Sequence, residues 1–287
     1  MADVRIQDFN ENLKPDTNND FLMTFNGGSE SKTKLRDAFY AMVPDGAQTH
    51  ANIFRGQNLG DLTATHIANI QNGTFHDMFV GDYFTVNGST YVIADINYKK
   101  GHGDKTPLGN HLLLMPTDLS KTPTQTLAPD GKTTHYMNDT DTTAGGFAGS
   151  KLYKTYLPQI EQKLASDFGS HLLSFRQIVS THVDDNGVPD QAEWRDAKAM
   201  IPSETMIFGS AVNGNNKNGS WYNVGDDACQ LALMRLSREE RNSYRSTIWL
   251  RDVCSTTNFA CAYDYGNDFS FNASYNWAGV RAFFLIG

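Results

Sequence analysis

Basic residues, cysteines and long apolar runs are all scarce in this 287-residue chain. The 24 Lys and Arg residues are outnumbered by 32 Asp and Glu residues, and the formal net charge of -8 argues against nucleic-acid binding, which uses a basic face. No apolar run approaches the roughly 20 residues that a membrane-spanning helix needs. No charged and then apolar leader follows Met1. We therefore expect no nucleic-acid partner, no membrane insertion, and folding in a cytoplasm without a signal peptide.

The few cysteines do not form a recognisable framework. Cys229, Cys254 and Cys261 are odd in number and lack the paired CxxC spacing of a zinc site. The sequence also contains no G-x-S-x-G, HExxH or GxGxxG motif and no glycine-rich phosphate loop. We expect free thiols, no cofactor, no metal and no catalytic residues, so the chain is interpreted as a protein without enzymatic activity.

Two polar segments could be taken for chemical sites, but each has a simpler interpretation. HVDDNGVPDQAE carries several carboxylates, yet their order does not fit a calcium-binding EF-hand loop, and its Asn186-Gly187 pair predicts a hairpin turn. GHGDK brings His102 near Asp104, which we interpret as a solvated loop because no nucleophile can be assigned to it.

The N-terminal part of the chain predicts a small helix-bearing module. Its first twenty residues are polar and are interpreted as an arm, followed by a strand in FLMTF and a helix with Leu35, Phe39 and Met42 on one face. A further short helix should be capped by Thr63 or Thr65 and end at Gly73. We place the domain boundary at this helix, with residues 1–72 forming an N-terminal attachment or oligomerisation module and residues 73–287 forming the second domain.

The second domain combines strands and helices that do not alternate regularly. GDYFTVNGSTYVIADIN predicts a hairpin through Asn87-Gly88, and HLLLMP adds a third strand. The helical pattern from Ser150 to Phe168 contains Pro158, which should produce a kink or two abutting helices. IPSETMIFG predicts a second helix with Ser203 as its N-cap and Glu204 as a favourable charge in its first turn. STIWLRDV, NFACAY and VRAFFLI predict further strands, so we expect an α+β fold.

One segment near the C-terminus has a composition unlike the rest of the chain. Between Ser255 and Ala278 there is no Lys, Arg, Glu, Gln, Pro, Leu, Ile, Val or Met, and seven aromatic residues lie among Asn, Ser, Thr, Ala and Asp. Tyr and Trp supply rigid contact area and Ser, Asn and Gly supply adaptable hydrogen bonds, as in antibody paratopes. We expect Phe259 to be buried in a strand. The residues expected on an exposed interaction surface are Tyr263, Tyr265, Tyr275 and Trp277.

Charged residues also occur inside the last β-rich runs. Arg251 and Asp252 lie beside Trp249 and Leu250, and Arg281 lies in GVRAF. Charges in such positions more often brace a loop or fix strand register through hydrogen bonds than take part in a reaction. We therefore expect these charges to brace the fold.

Several segments taken together resemble a known family of phage structural proteins. FVGDYFTVNGSTYVIADIN, HYMNDTDTTAGGFAGSKLY, FGSHLLSFR, WLRDV and GVRAFFLIG resemble, in this order, the C-terminal C-type-lectin-like domain of these proteins, which include retroelement-diversified variable proteins. IPSETMIFG is similar to the second-helix motif of the branch that includes formylglycine-generating enzyme, whose active cysteine pair is not recognisable in this chain. The resemblance covers most of Phe75 to Gly287 and implies a twisted antiparallel sheet with two helices and long loops.

The resemblance also implies that the segment between the WLRD and GVR strands is a ligand-binding face. The residues that match the framework of this face are Arg251, Asp252, Gly279 and Arg281. The residues that match its variable, ligand-binding positions are Thr256, Asn258, Cys261, Tyr263, Tyr265, Asn267, Phe269, Phe271, Asn272, Tyr275, Asn276 and Trp277. The calcium-ligand signatures of animal lectins, Glu-Pro-Asn and Trp-Asn-Asp, are missing, so calcium-dependent sugar binding is not implied.

These observations favour a phage virion protein, located in a tail fibre or tip or in a head fibre, that recognises the bacterial host surface. Its expected partners are a cell-surface receptor, either protein or glycan, and other virion proteins. A homotrimer is expected because several copies raise avidity. The alternative is a purely structural head or tail decoration protein, in which the aromatic loops contact neighbouring virion subunits. Cleavage of cell-surface polysaccharide has little support, because no spaced carboxylate pair can be assigned.

Overall fold

The computed structural model describes residues 21–26, 29–117, 134–214 and 229–287. Contacts between residues divide the chain into two compact units, Met1–Pro44 and Asp45–Gly287. The arm expected over the first twenty residues lies outside the described residues.

Short strands and helices make up both units. The strands are β1 (Phe21–Asn26), β2 (Ser29–Lys34), β3 (Asn58–Gly60), β4 (Tyr83–Val86), β5 (Ser89–Ile96), β6 (Leu112–Pro116), β7 (Phe175–Val183), β8 (Pro189–Ala197), β9 (Ala199–Met200), β10 (Ile248–Val253), β11 (Asn258–Ala262), β12 (Asp268–Asn272) and β13 (Phe283–Ile286). The α-helices are α1 (Leu35–Ala41), α2 (Ala47–His50), α3 (Ala64–Asn72), α4 (Gly146–Gly149), α5 (Leu157–Phe168), α6 (Glu204–Phe208), α7 (Ala232–Leu236) and α8 (Arg238–Arg241). A π-helical turn covers Leu152–Tyr156, and 3₁₀ turns cover Gly169–His171 and Ser243–Arg245.

In the residues of the first unit that the structure describes, an antiparallel hairpin is followed by one short helix. β1 and β2 pair in register from Phe21 opposite Lys34 to Asn26 opposite Ser29. This confirms the strand predicted at FLMTF, and α1 confirms the helix that was predicted after it. The predicted apolar helix face is not buried within this chain, because Phe39 is 55% exposed. A two-stranded hairpin with one short helix buries little apolar surface of its own.

The second unit is organised around a mixed sheet with the strand order β3-β4-β5-β6-β13-β9. β3 is parallel to β4, and all other neighbours are antiparallel. The β4–β5 turn is formed by Asn87 and Gly88 at positive φ, as predicted. β6 pairs with β13, with Phe284 opposite Leu114, and every residue of both strands is buried. Their unbroken apolar sequences follow from coverage on both faces.

The expected boundary at residues 72 and 73 differs from the observed division, because the second unit begins at Asp45. The helix that was expected to close the N-terminal module is α3, and its Ile67 and Ile70 belong to the core of the second unit. Thr63 caps this helix in a capping box with His66, and Gly73 ends it in the left-handed conformation, as predicted. The local helix signals were therefore right, but the burial of α3 assigns it to the larger unit.

The helix predicted around Pro158 is divided into two abutting pieces. The π-helical turn ends at Tyr156, and α5 begins at Leu157 with Pro158 in its first turn. Proline has no N–H to donate, so it is tolerated at a helix start but breaks a helix interior. The helical pattern predicts an apolar face of Tyr153, Leu157, Ile160, Leu164 and Phe168, and α5 buries the last four of these residues.

The hairpin predicted around DDNGVPD is formed by β7 and β8. Asp184 Oδ1 accepts hydrogen bonds from the Asn186 and Val188 amides at 2.9 and 2.8 Å, so this carboxylate stabilises the turn. Within the ranges that the structure describes, no group of three or more His, Cys, Asp or Glu residues is placed to hold a metal ion.

The C-terminal region adds a second antiparallel sheet, of order β10-β11-β12. β10, β11 and β13 confirm the predicted β-rich runs, whereas β12 was not predicted. Antiparallel pairing prevails and the helices do not alternate with parallel strands, so the fold class is α+β, as expected. Among the helices of the described ranges, none combines the length and the apolar character needed to cross a bilayer.

Candidate functional site

The β11–β12 hairpin supports the aromatic residues of the candidate ligand-binding face. Phe271 lies opposite Phe259 and Phe269 lies opposite Cys261, so each pair projects from the same side of the sheet. Phe259 is fully buried, as predicted. Cys261 is also buried, with 0% of its surface exposed. The prediction that Cys261 contacts a ligand is therefore wrong, because Phe269, on the same side of the sheet, and its neighbours cover the thiol from solvent.

Five rings along this hairpin and the following turn form a continuous series, which we call the aromatic row. The row consists of Tyr265, Tyr263, Phe269, Phe271 and Tyr275, and successive ring centroids lie 5.3, 5.5, 5.0 and 4.0 Å apart. Tyr265 is 70% exposed and Phe269 is 46% exposed, whereas the other three rings are half-buried. The row thus presents apolar area to solvent and holds it through ring-to-ring contacts.

The two ends of the aromatic row differ in their surroundings. At the inner end, Tyr275 meets the buried Trp249 edge-on at 6.4 Å, and the Trp249 indole N–H donates to the His135 carbonyl at 2.7 Å. At the outer end, the guanidinium of Arg245 lies 5.8 Å from the ring centroid of Tyr265, within the range of a cation–π contact. The row is therefore anchored in the core at one end and bordered by a positive charge at the other.

Trp277 is 74% exposed, beyond the turn that carries Tyr275. The expectation of exposure thus holds for Tyr265 and Trp277, while Tyr263 and Tyr275 are only half-exposed. A solvent-exposed indole offers a large contact area, and its side chain has few rotatable bonds to immobilise on binding.

The predicted polar positions lie around these rings, and most are exposed. The exposed ones are Thr256, Asn267, Asn272 and Asn276, whereas Asn258 is half-buried. Asn258 Oδ1 accepts from the Thr257 hydroxyl at 2.7 Å, and Asn267 Nδ2 donates to the Asp268 carbonyl at 2.9 Å. Some of the polar side chains thus shape the loops themselves.

The loops of the face are held by a neighbouring segment, residues 134–143. The amides of His135, Asn138 and Thr143 donate to the carbonyls of Ala278, Ala273 and Thr256 at 2.9, 2.9 and 3.0 Å. These bonds satisfy backbone groups that no sheet satisfies. This support was not predicted, because nothing local in HYMNDTDTT indicates which segment it contacts.

Asp141 supplies a second, side-chain clamp on the same loops. Its Oδ1 accepts from the Ser274 hydroxyl at 2.6 Å and from the Ser274 amide at 3.1 Å, and its Oδ2 accepts from Asn272 Nδ2 at 3.0 Å. The hydrogen bonds from Ser274 hold the pKa of the Asp141 carboxyl below its usual range. The turn between β12 and Tyr275 is therefore fixed by a charge-assisted network.

The framework charges are buried and bonded to the backbone. Arg251 Nη1 donates to the Ile201 carbonyl at 2.9 Å, and an Asp252 carboxylate oxygen accepts from the Glu204 amide at 2.8 Å. Arg281 donates to the Pro116 carbonyl and pairs with the carboxylate of Glu240. The carbonyl of Gly279, the remaining framework residue, accepts from the Trp249 amide at 3.0 Å. These contacts tie neighbouring segments of the fold to one another, which is what bracing residues do.

Glu204 lies in the first turn of α6, as predicted, and the structure buries it completely. Its carboxylate accepts from the amides of Val212, Asn213 and Gly214 at 2.8 to 3.0 Å. Burial, and the negative charge of the neighbouring Asp252, raise the pKa of Glu204 above its usual range. The Asn213 side chain in turn donates to Asp268 at 2.6 Å, so this acid is linked to the start of β12.

The thiols and the GHGDK loop offer no reactive group on this face. Cys254 and Cys261 are free, and burial raises the pKa of each thiol, which keeps both protonated. Asp104 of the GHGDK loop accepts from Arg176 Nη2 at 2.9 Å and so braces β7.

Taken together, the exposed rings, the polar loops and the buried braces form one pre-shaped surface suited to contact with a macromolecule. The half-buried rings and the 134–143 segment fix its shape, and Tyr265, Phe269 and Trp277 supply the accessible apolar area. No family model matches this chain, and no curated protein or solved structure matches it.

Proposed function

We propose that this chain is a phage virion protein that recognises the bacterial host surface through the aromatic row and Trp277, on a domain of the C-type-lectin-like fold. The observation that carries the proposal is the exposure of Tyr265, Phe269 and Trp277 on a loop system fixed by hydrogen bonds from residues 134–143. Function consists of binding, without covalent chemistry.

Exposed aromatic residues on a rigid support have the physical properties of binding hot spots. Trp and Tyr dominate measured interface energies because each buries a large area while few rotatable bonds are frozen. Because the loops are already ordered by Asp141 and the 134–143 segment, binding loses little additional conformational entropy. The net charge of -8 disfavours a nucleic-acid partner and is compatible with a surface protein or glycan as the ligand.

The position of the face along the chain supports the lectin-like assignment. In the phage proteins that the sequence resembles, the ligand-binding segment lies between the WLRD strand and the closing GVR strand. In this chain the segment between β10 and β13 carries the aromatic row, and β13 joins the main sheet between β6 and β9. The variable loops are therefore attached to the best-buried strands of the molecule.

We assign attachment to the particle and self-association to the N-terminal unit. Phe21, Phe39 and Met42 are exposed there, which supports burial against further copies. A homotrimer would present several faces at once, and avidity would then exceed the single-site affinity by about 100-fold or more. Light scattering that shows a lone monomer at all concentrations would contradict this part of the proposal.

The experiment that tests the proposal separates adsorption from assembly. Tyr265, Phe269 and Trp277 are replaced together by Ala in the phage, and particle yield and adsorption to host cells are measured independently. Val212→Ala serves as the matched control, because Val212 is an exposed apolar residue outside the aromatic row. Normal particles that no longer adsorb are the expected result. A failure of particles to assemble would instead indicate a decoration protein whose aromatic loops contact neighbouring subunits.

A further inference from the structure

A second concave feature lies beside the candidate ligand-binding face. It is an open cavity of about 440 Å³ between the 138–142 loop and the helical turns that follow Gly149. Seven of its lining residues carry polar side chains: Asn138, Asp139, Thr140, Thr142, Lys151, Lys154 and Thr155. This volume lies within the range of small-molecule sites, about 300 to 1,000 Å³.

The 138–142 loop that lines the cavity is hydrogen-bonded to the candidate ligand-binding face. The Asn138 amide donates to Ala273 of that face, and Asp141, on the same loop, holds Ser274 and Asn272. A ligand that fills the cavity would therefore lie next to the exposed polar side of the β12 turn. A polymeric ligand could contact both.

Hydrogen bonds among the lining residues keep the cavity in shape. The Asn138 side chain donates to the Thr142 carbonyl at 2.7 Å and accepts from the Lys151 amide at 2.9 Å, so it joins the loop to the helical turns. Lys151 Nζ contacts Asp139 Oδ1 at 2.6 Å and the Tyr136 hydroxyl at 2.8 Å. The site is thus largely pre-formed.

The polar lining of the cavity disfavours an apolar ligand. Small-molecule sites are usually lined by apolar and aromatic side chains, whereas this cavity presents hydroxyl, amide, ammonium and carboxylate groups. Asp139 offsets the charge of Lys151, while Lys154 is exposed and adds a second cation. A ligand with many hydroxyl groups and a negative charge fits these donors and acceptors.

The backbone amides beside the cavity are already hydrogen-bonded, which limits the groups that can bind an anion. The amides of Lys151, Leu152 and Tyr153 at the start of the helical turns already donate to Asn138 Oδ1, the Met137 carbonyl and Ser150 Oγ. They are not available to an anion, so the acidic group of a ligand has to be bound by the Lys154 side chain. Thr155, the next residue of the π-helical turn, supplies a hydroxyl beside it. π-helical turns are rare and often occur at functional sites.

We propose that this cavity is a binding site for an acidic saccharide unit of a cell-surface polymer, with Lys154 binding its negative charge and the threonine hydroxyls and Asn138 binding its hydroxyl groups. The inference rests on the proposed host-recognition function and specifies the ligand class of a subsite next to the aromatic row. The acidic group could be a carboxylate or a phosphate, and both present the same charge and hydroxyl-rich surroundings to the site.

The test measures binding of three defined probes to the full chain by calorimetry. The probes are a hyaluronan tetrasaccharide for the carboxylate, a glycerol phosphate oligomer for the phosphate, and maltotetraose as the neutral control. We expect at least one acidic probe to bind more tightly than maltotetraose. Lys154→Gln should weaken that binding about tenfold, because it removes one charge-assisted contact. Lys105→Gln, at an exposed lysine outside the cavity, should leave it unchanged.

The outcomes distinguish this inference from the proposed function. If neither acidic probe binds, or if Lys154→Gln binds as tightly as the unchanged protein, the saccharide site is ruled out. The Tyr265, Phe269 and Trp277 triple variant should still bind the acidic probe although its phage does not adsorb. If phage with the triple variant fail to adsorb and no acidic probe binds the unchanged protein, host recognition is supported and only the saccharide site is ruled out. Far-ultraviolet circular dichroism of each variant checks that the fold is retained.

Discussion

Phe271 and Tyr275 stack face to face, with ring centroids 4.0 Å apart and planes only 11° from parallel. This pair joins the exposed part of the aromatic row to the buried Trp249. The positions of Tyr265, Tyr263 and Phe269 therefore depend on this half-buried stack.

Replacing Phe271 by Ala should destabilise the protein, because it removes this stack and the contact with Phe269. We expect a loss of about 1 to 3 kcal/mol in the free energy of unfolding, measured by urea denaturation. Tyr275→Phe is the control, since it keeps the ring and removes only the hydroxyl, and it should change stability by less than about 1 kcal/mol. Equal stability of Phe271→Ala and the unchanged protein would contradict a structural role for the stack.

Gly187, in the β7–β8 turn, packs against the backbone of the candidate face. Its φ is +79°, and a Cβ there would lie 2.7 Å from backbone atoms of Ser255 and Thr256. Gly88 has a similar φ of +78°, but nothing lies within 4 Å of its would-be Cβ. Gly88→Ala should therefore cost only the conformational penalty of about 1 to 2 kcal/mol, and Gly187→Ala should cost clearly more. The comparison of urea midpoints tests this, and similar losses for both would show that the turn moves freely away from Ser255.

The buried Glu204 should make the protein less stable as pH rises through the weakly acidic range. Because its folded-state pKa is raised, the native state retains a proton that the unfolded state releases above about pH 4.3. Its stabilising contribution is thus complete below that pH and is lost as pH rises through the folded-state pKa. Asp95, whose pKa burial raises to about 6, acts in the same direction.

Glu204→Gln isolates the contribution of this residue. The fall in unfolding free energy between about pH 4 and neutral pH should be smaller in Glu204→Gln than in the unchanged protein. Glu239→Gln, at an exposed glutamate of α8, should leave the slope as it is. A Glu204→Gln variant with the original pH slope would show that this carboxyl titrates in the usual range. Urea denaturation at a series of pH values provides the measurement.

The three thiols should differ in their reaction with iodoacetamide at neutral pH. The pKa of all three thiols is raised, but Cys229 is exposed and should be modified in the native protein, whereas Cys261 is buried and should be protected. Cys254 is half-buried and the pKa of its thiol is also raised, so it should react slowly. Peptide mass spectrometry after timed labelling measures each site, and rapid modification of native Cys261 would contradict its burial beneath Phe269.

Local signals in the sequence were sufficient for much of the fold. The Asn87-Gly88 turn, the Thr63 and Ser203 caps and the break near Pro158 depend on residues within a few positions of one another, and the structure contains all of them. The composition of residues 255–278 also indicated a surface, and Tyr265 and Trp277 are exposed as expected.

Features that depend on distant contacts were not predicted. β12 has the alternating sequence DFSFN, yet its pairing with β11 determines that Cys261 is buried beneath it. Glu204 has the sequence pattern of an exposed first-turn acid, and only its proximity to residues 212–214 makes it a buried acceptor. The Asp141 clamp joins residues 131 to 133 positions apart. No periodicity or local propensity carries such information.

The position of β13 between β6 and β9 has a consequence for biosynthesis. The main sheet is incomplete until residues 283–286 have been synthesised, because these residues pair with β6 and β9, which are made earlier. Contacts between residues so far apart in sequence form slowly. Until β13 pairs with it, β6 exposes an apolar, unpaired edge. The loops carrying the aromatic row are translated just before this closing strand, so they reach their final geometry only when the domain is sealed.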